Sequence, residues 1–140
     1  MKVLFVAGFG PIVRDMQTAL TFYRDALGLP IEQAADVSTE KVDGVKHFGL
    51  WQLEEAAESC FGTRPWPSDV PAPQAWIEFD VDDVAAAANE LRAKGYRILV
   101  GPKDESWGQT VARLLSPEGL LVGVTRTPWM GEATQREATH

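Results

Sequence analysis

Two side chains in this sequence are suited to proton transfer, those of His47 and Glu78. An imidazole titrates near neutral pH and can act as a general base, and a carboxylate beside an apolar wall can take the same role. Glu78 shares one face of an alternating segment with Trp76, which supplies such a wall. A lone histidine in an apolar strand is more often a hydrogen-bonded structural residue. His47 and Glu78 are therefore catalytic candidates and not assignments.

The single cysteine, Cys60, is a weaker candidate for chemistry. A cysteine becomes a nucleophile when a neighbouring cation lowers the pKa of its thiol, and no histidine or lysine stands near Cys60 in the sequence. We therefore expect a buried, unreactive thiol. One cysteine cannot form an intramolecular disulfide, which predicts a reducing, cytoplasmic setting.

The charge pattern excludes some classes of partner. The net charge is −7, and the 13 lysines and arginines are scattered along the chain, so we expect no nucleic-acid binding. No segment is long and apolar enough to predict a membrane span. Five tryptophans in an acidic chain favour aromatic or cationic small molecules as ligands, although an acidic charge alone would also confer solubility.

The elements that must position these residues occur twice, about 67 residues apart. Each copy has a strand, an aspartate N-cap, a helix with apolar residues at helical spacing, a glycine that ends the helix, and a further strand. The caps, helices and stops are Asp15, residues 16–27 and Gly28 in the first copy, and Asp83, residues 84–94 and Gly95 in the second. This repeat predicts an α+β fold with two pseudo-symmetric halves and a pocket between them.

Alternation and turn residues predict the remaining elements. Strands are expected at residues 3–13, 45–53, 75–81 and 96–100, followed by a loop at 101–106 and a hairpin of 107–115 and 120–126. Residues 75–81 place Trp76, Glu78 and Asp80 on one face, which is either wet or lines a pocket. We expect one domain over residues 1–130, comprising module one (1–53), a linker (54–73) with a short helix at 54–61, and module two (74–130), followed by a flexible tail (131–140).

Three short phrases resemble a known family: FYRDALGL at residues 22–29, WGQ at 107–109 and SPEG at 116–119. They are similar to phrases of the vicinal oxygen chelate superfamily, which includes glyoxalase I, extradiol dioxygenases, fosfomycin-resistance enzymes and bleomycin-resistance proteins. The resemblance covers about residues 3–126. It implies two tandem βαβββ modules forming a curved mixed sheet around a central cavity, and it implies a homodimer.

The resemblance also implies where a metal ion would be held. Enzymatic members bind a divalent ion through His or Glu on strands that face the cavity, and the corresponding residues here are Gly8, Trp76 and Gly123. His47 is the only donor near the fourth position. Because a catalytic site needs about three protein ligands, we expect no metal and no cofactor in this chain.

These replacements predict a binding cavity in place of a metal centre. Glycines enlarge the cavity and Trp76 adds a flat wall, so the expected ligand-binding residues are Trp76, Glu78, Trp107, Gln109, His47 and Trp51. Trp129 is expected to lie either on a pocket wall or in a dimer interface. The alternative is that Trp76 plugs the cavity and that Glu78 and Asp80 face solvent.

The sequence supports three hypotheses for function. The first is a metal-independent small-molecule-binding protein that sequesters an aromatic or cationic toxic compound or antibiotic. The second is a glyoxalase-like lyase or isomerase, or a dioxygenase-type enzyme, with an atypical site at His47 or Glu78. The third is an interaction or regulatory module whose cavity has collapsed.

Overall fold

The structure is a computed structural model, and it describes residues 1–130. Its strands are β1 (Val3–Val13), β2 (Glu32–Gln33), β3 (Val37–Thr39), β4 (Phe48–Gly49), β5 (Trp51–Gln52), β6 (Ala75–Val81), β7 (Val100–Asp104), β8 (Thr110–Leu115) and β9 (Leu121–Arg126). Its helices are α1 (Met16–Leu20), which continues as a π-helical segment (Thr21–Ala26), α2 (Leu53–Phe61) and α3 (Val84–Ala93). The tail expected at residues 131–140 lies outside the described residues. No helix in the described part of the chain is long and apolar enough to cross a membrane.

The equivalent strands of the two halves follow in the same order from either edge of the sheet, which confirms the repeat. Its strand order is β2-β3-β4-β1-β6-β9-β8-β7, with β5 also paired to β1. In the first module β1 is parallel to β4, and in the second β6 is parallel to β9. The strands β1 and β6 are antiparallel and join the modules at the middle of the sheet. The mixed α+β fold expected from the sequence is thus confirmed.

Both helices of the repeat begin at the predicted aspartates. The carboxylate of Asp15 accepts a hydrogen bond from the Thr18 amide at 3.2 Å, and that of Asp83 accepts one from the Ala86 amide at 3.0 Å. Each bond satisfies an amide that the first helical turn leaves without a backbone partner. The caps therefore set where each helix starts against its sheet.

The two faces of the sheet have different covers. On one face α3 packs over a cluster of buried residues: Val81, Val84, Ala87, Ala88, Ala112 and Val124. On the other face α2 packs over Ile12, Trp76 and Leu121 through Ala56 and Cys60. We call this second face the inner face. Glu78 and Asp80 belong to it because they follow Trp76 at intervals of two along β6.

Several predicted elements differ from the structure. The strand expected at 45–53 is split into β4 and β5 by Leu50, whose amide donates to the Val37 carbonyl while its side chain packs against the first helix. The first helix is not α-helical throughout, since the Leu27 amide donates to the Phe22 carbonyl five residues earlier.

The strand expected at 96–100 and the loop expected at 101–106 were also wrong. Strand β7 begins at Val100, where it first pairs with Arg113 of β8, and it continues to Asp104 opposite Thr110. Strand pairing therefore decides these bounds, and the local sequence misplaced them by about four residues.

Candidate functional site

The register of the sheet fixes the position that the sequence left open. In the first module Phe9 lies opposite Phe48, and in the second module Ile77 lies opposite Val122. Because the two modules repeat each other, Gly49 occupies the place in module one that Gly123 occupies in module two. The fourth position of the implied metal site is thus Gly49, and His47 lies two residues before it.

The residues at these four positions do not fit a metal ion. Gly8, Gly49 and Gly123 carry no donor atom, and the indole nitrogen of Trp76 donates a hydrogen bond to the Gly49 carbonyl at 3.1 Å. Within the described residues, no group of three or more His, Cys, Asp or Glu side chains is arranged to hold a metal. We therefore derive no chemical step through a metal.

Large side chains fill the space that two of the glycines leave. A Cβ atom at residue 8 would lie 3.1 Å from Cη2 of Trp76, and one at residue 49 would lie 3.3 Å from Cζ2 of the same ring. The imidazole of His47 stands 3.4 Å from the latter position and 6.2 Å, centroid to centroid, from the Trp76 ring. Trp76 is only 7% exposed. Trp76 and His47 together occupy the first-module half of the implied metal site, so the expectation that Gly8 enlarges a cavity was wrong.

An ion pair fills the space above the third glycine. A Cβ atom at residue 123 would lie 3.0 Å from Cγ of Glu78 and 3.5 Å from Nη1 of Arg113. The Arg113 guanidinium donates to the Glu78 carboxylate at 2.9 Å. The side chains of Arg113 and Glu78 are about 2% and 12% exposed, so the pair is nearly dry.

Arg113 is one of the residues of this site that the sequence analysis missed. Its guanidinium also stacks over Trp51, 4.8 Å from the ring centroid, and lies 3.8 Å from Glu105. The signal that would have found it is its position in β8, where it is the one charged residue of an otherwise apolar strand with a single threonine. A charge in such a strand must be paired when it points inward.

The amide of Gln109 links Glu78 to the turn before β8. Its nitrogen donates to Glu78 at 2.9 Å and to Thr127 at 3.0 Å, and its oxygen accepts from the Trp107 indole at 3.0 Å. All three hydrogen bonds fix the orientation of the amide. The Trp107 side chain itself remains about half exposed.

The six expected binding residues therefore form one continuous chain of contacts, which Arg113 completes. The order of the chain is His47, Trp76, Trp51, Arg113, Glu78, Gln109 and Trp107. Its middle is buried beneath α2, and its two ends reach solvent. At one end the His47 side chain is 23% exposed, and at the other Trp107 is 53% exposed.

Carboxylates surround the His47 end. Nε2 of His47 lies 3.4 Å from Asp36 and Nδ1 lies 3.6 Å from Glu40, and both acidic side chains are well exposed. A ligand that reached this end would meet the partly exposed His47 ring and negative charge together. Trp129, about half exposed, lies near the other end of the contact chain, 3.9 Å from the position of a Cβ at Gly108.

Asp80 does not face solvent, so that part of the alternative expectation was wrong. Asp80 is 1% exposed, and its carboxylate accepts hydrogen bonds from the Thr125 hydroxyl and from the amide and hydroxyl of Thr127, at 2.7 to 2.9 Å. These donors compensate for the loss of water around the buried charge. Glu78 is likewise turned toward Arg113 and not toward bulk water.

Cys60 is buried, as predicted. Burial raises the pKa of its thiol to about 11, and the nearby charges of Arg113 and Lys103 offset only part of that effect. The thiol is therefore neutral at physiological pH and is unsuited to nucleophilic attack.

Comparisons with known proteins agree with the fold. The sequence profile of the Glyoxalase/Bleomycin resistance protein/Dioxygenase superfamily matches residues 9–124. The uncharacterized protein YraH of Bacillus subtilis (strain 168) is 25% identical over 116 residues, which is 81% of this chain and 91% of that protein.

Two solved structures illustrate the likeness. A superfamily member from Vibrio splendidus 12B01 has a TM-score of 0.57 at 17% identity, covering 90% of this chain and 100% of that one. A variant of Streptomyces coelicolor methylmalonyl-CoA epimerase in complex with 2-nitronate-propionyl-CoA has a TM-score of 0.53 at 19% identity, covering 91% and 99%. At these identities the likeness shows a common fold.

Proposed function

Since the chain belongs to the Glyoxalase/Bleomycin resistance protein/Dioxygenase superfamily, we propose that it is a member that binds a small molecule without a metal ion. One observation carries the proposal. The four positions of the implied metal site hold Gly8, Gly49, Gly123 and Trp76, and the chain's own side chains fill the space above the glycines. Such a site has no Lewis acid, and it offers aromatic surface and charge only at its exposed ends, at His47 and Trp107.

The ligand class follows from the exposed end of the contact chain. The His47 end combines a partly exposed imidazole ring with the carboxylates of Asp36 and Glu40. Negative charge beside an aromatic ring favours a flat cation through ionic and stacking contacts. We propose Trp76, Glu78, Trp107, Gln109, His47 and Trp51 as the residues that contact the ligand or hold those that do. In this proposal the protein is a cytoplasmic homodimer that sequesters a toxic aromatic or cationic compound or an antibiotic.

The test is a titration of tryptophan fluorescence with planar aromatic cations, such as ethidium and acridine orange, and with neutral pyrene derivatives. We expect stoichiometric quenching by the cations, unchanged by EDTA, and weaker binding in Asp36→Asn and Glu40→Gln. Asp43→Asn, which removes a carboxylate from an exposed turn, is the matched control and should bind like the unmodified protein. If no compound quenches, or if neutral probes bind equally well, the proposal fails.

A second arm tests the absence of a metal directly. Purified, tag-free protein is incubated with nickel, zinc, manganese and ferrous iron, and its metal content is measured after excess ion is removed. We expect none of the four metals at stoichiometric levels. A stoichiometric metal would show that donors other than the four mapped positions form a site.

The contacts of His47 favour one alternative function, a lyase or isomerase of the glyoxalase type. Two carboxylates within 3.6 Å can orient the imidazole as a general base. The fold likeness to methylmalonyl-CoA epimerase makes proton abstraction beside a thioester carbonyl the reaction to test. We would incubate the protein with methylmalonyl-CoA in D2O and follow deuterium uptake. Turnover that His47→Gln or Glu78→Gln abolishes, with the circular dichroism spectrum unchanged, would support this alternative over pure binding.

A further inference from the structure

A second recess lies outside the contact chain, between the end of β1 and the linker before β6. It is an open groove of about 610 Å³ whose walls include Leu53, Trp66 and three prolines of the linker. This volume falls within the usual range of small-molecule sites, roughly 300–1,000 Å³. The groove is lined by none of the six binding residues that the sequence predicted.

The aromatic wall of the groove is held rigidly. The Trp66 indole nitrogen donates to the Val70 carbonyl at 3.0 Å, and the ring meets Phe61 edge to face with centroids 5.0 Å apart. The buried side of Trp66 packs with Leu53 against the core cluster under α2. The ring is therefore a preformed surface, and a ligand can bind to it without first ordering it.

Two opposite charges line the same groove without internal partners. Among the described residues, Arg14 and Asp69 make no hydrogen bond or ion pair with another side chain, whereas Glu54, the other charged residue of the lining, lies 3.6 Å from Arg64. A guanidinium binds a carboxylate through two parallel hydrogen bonds, and a carboxylate accepts readily from an ammonium group. The groove thus presents a guanidinium for an anion and a carboxylate for a cation together with an aromatic wall.

We infer that this groove binds a small zwitterion with a large apolar or aromatic group, the chemistry of a free aromatic α-amino acid. Arg14 takes the carboxylate, Asp69 takes the ammonium group, and the aromatic group stacks on Trp66. The charge complementarity selects this occupant, because a neutral or singly charged ligand would leave one of the two groups unused. The inference does not depend on the function proposed for the inner face.

The experiment follows the indole N–H signals of the five tryptophans in ¹⁵N-labelled protein. The probes are L-tryptophan, L-tryptophanamide, which lacks the carboxylate, and N-acetyl-L-tryptophan, which lacks the ammonium group. We expect L-tryptophan to shift the Trp66 signal, which Trp66→Phe identifies by its disappearance. Each modified probe should bind about two- to fivefold more weakly, the range of exposed ion pairs.

Pairing each variant with one probe makes the test specific. In Arg14→Gln the difference between L-tryptophan and its amide should vanish, and in Asp69→Asn the difference between L-tryptophan and its N-acetyl form should vanish. Both residues are exposed, so these variants should fold. Arg97→Gln and Asp43→Asn, outside the groove, are the matched controls and should keep both differences.

Three outcomes would overturn the inference: a Trp66 signal that no probe moves, equal affinity for all three probes, or charge differences that survive in Arg14→Gln and Asp69→Asn. A shift confined to the Trp51 and Trp76 signals would also overturn it, and would instead favour ligand binding at the inner face. Failure of the groove and failure of the proposed function are therefore distinguishable.

Discussion

The indole of Trp76 lies over the backbone of Gly8, with its Cη2 atom 3.1 Å from the place that a Cβ atom at residue 8 would take. The same ring comes within 3.3 Å of the corresponding place at Gly49. One side chain from β6 thus fills the space above two glycines on different strands of the first module. The absence of side chains at residues 8 and 49 and the presence of an indole at residue 76 are parts of a single packing arrangement.

This arrangement predicts a coupling between residues 49 and 76. In Gly49→Ala the new methyl group would press on the Trp76 and His47 side chains, which can shift, so the loss of stability should be about 1 kcal/mol. In Gly8→Ala it would meet the His47 carbonyl oxygen at 2.8 Å, and backbone cannot yield as easily, so the loss should reach about 2–3 kcal/mol. Urea unfolding measures both.

The coupling itself is measured in the Trp76→Phe background. There the cost of Gly49→Ala should shrink, because the smaller ring leaves room for the methyl group, while the cost of Gly8→Ala should persist. Equal costs of Gly49→Ala in the two backgrounds would mean that the indole does not occupy the space above Gly49.

The buried pair of Arg113 and Glu78 predicts strong non-additivity. Arg113→Met leaves the Glu78 carboxylate buried without its cation, and such a change costs about 3–5 kcal/mol. The double variant Arg113→Met with Glu78→Gln removes both charges and should be clearly more stable than the single Arg113→Met variant. Chemical denaturation of the unmodified protein, the two single variants and the double variant gives the interaction energy between the two side chains.

The exposed pair of Lys41 and Glu32 is the control for that cycle. Both side chains are about two-thirds exposed, so Lys41→Met should change the stability little. Similar losses at the exposed and buried pairs would contradict the view that desolvation makes the inner pair interdependent.

Cys60 predicts a decline of stability at alkaline pH. Its thiol pKa is raised by burial from 9.0 to about 11, so the folded state favours the neutral thiol more than the unfolded state does. This contribution is complete below pH 9 and is lost as the pH rises from 9 through about 11. The additional slope is at most about 1.4 kcal/mol per pH unit.

Comparison with Cys60→Ala isolates this effect from the titration of lysines and tyrosines. The stability difference between the two proteins should be constant up to pH 9 and should narrow above it. The native thiol should also react slowly with a disulfide reagent at pH 8 and react quickly in urea. Rapid reaction of the folded protein would show that Cys60 is accessible.

The two helix caps predict matched losses in the two modules. Asp15→Ala and Asp83→Ala each remove one side-chain acceptor from a first-turn amide and should cost about 1 kcal/mol. Asp82→Ala changes a neighbouring exposed aspartate that accepts no such bond in the described structure, and it should be close to neutral. Thermal unfolding of the three variants tests this, and a neutral Asp83→Ala would refute the capping role.

The repeat and both helix starts were predictable because they depend on local periodicity and capping chemistry. The bounds of β4, β5 and β7 were not, because pairing with a neighbouring strand decides where each begins. Leu50 interrupts its expected strand because its amide donates to the Val37 carbonyl, and β7 begins only at Val100 because that residue is the first to pair with β8, at Arg113.

The members of the inner-face site were predictable in part. Residues at intervals of two along β6, together with the turn before β8, placed Trp76, Glu78 and Gln109 together. Arg113 was missed because the role of a single charged residue in an apolar strand can be inferred only when its partner on another strand is known. The register of β4 also had to come from pairing, since a shift of one residue would reverse the face of His47.

The sequence by itself determined the two-module fold, its helix starts and the lack of donor side chains at three implied metal positions, since residue identity and short-range spacing suffice for these. Only the tertiary structure decided that Gly49 is the fourth position, that Arg113 pairs with Glu78, and that Trp76 fills the space over two glycines. Those facts depend on contacts between residues 27 to 68 positions apart. Such contacts depend on how strands from both modules align, and that alignment cannot be predicted from the local spacing of residues.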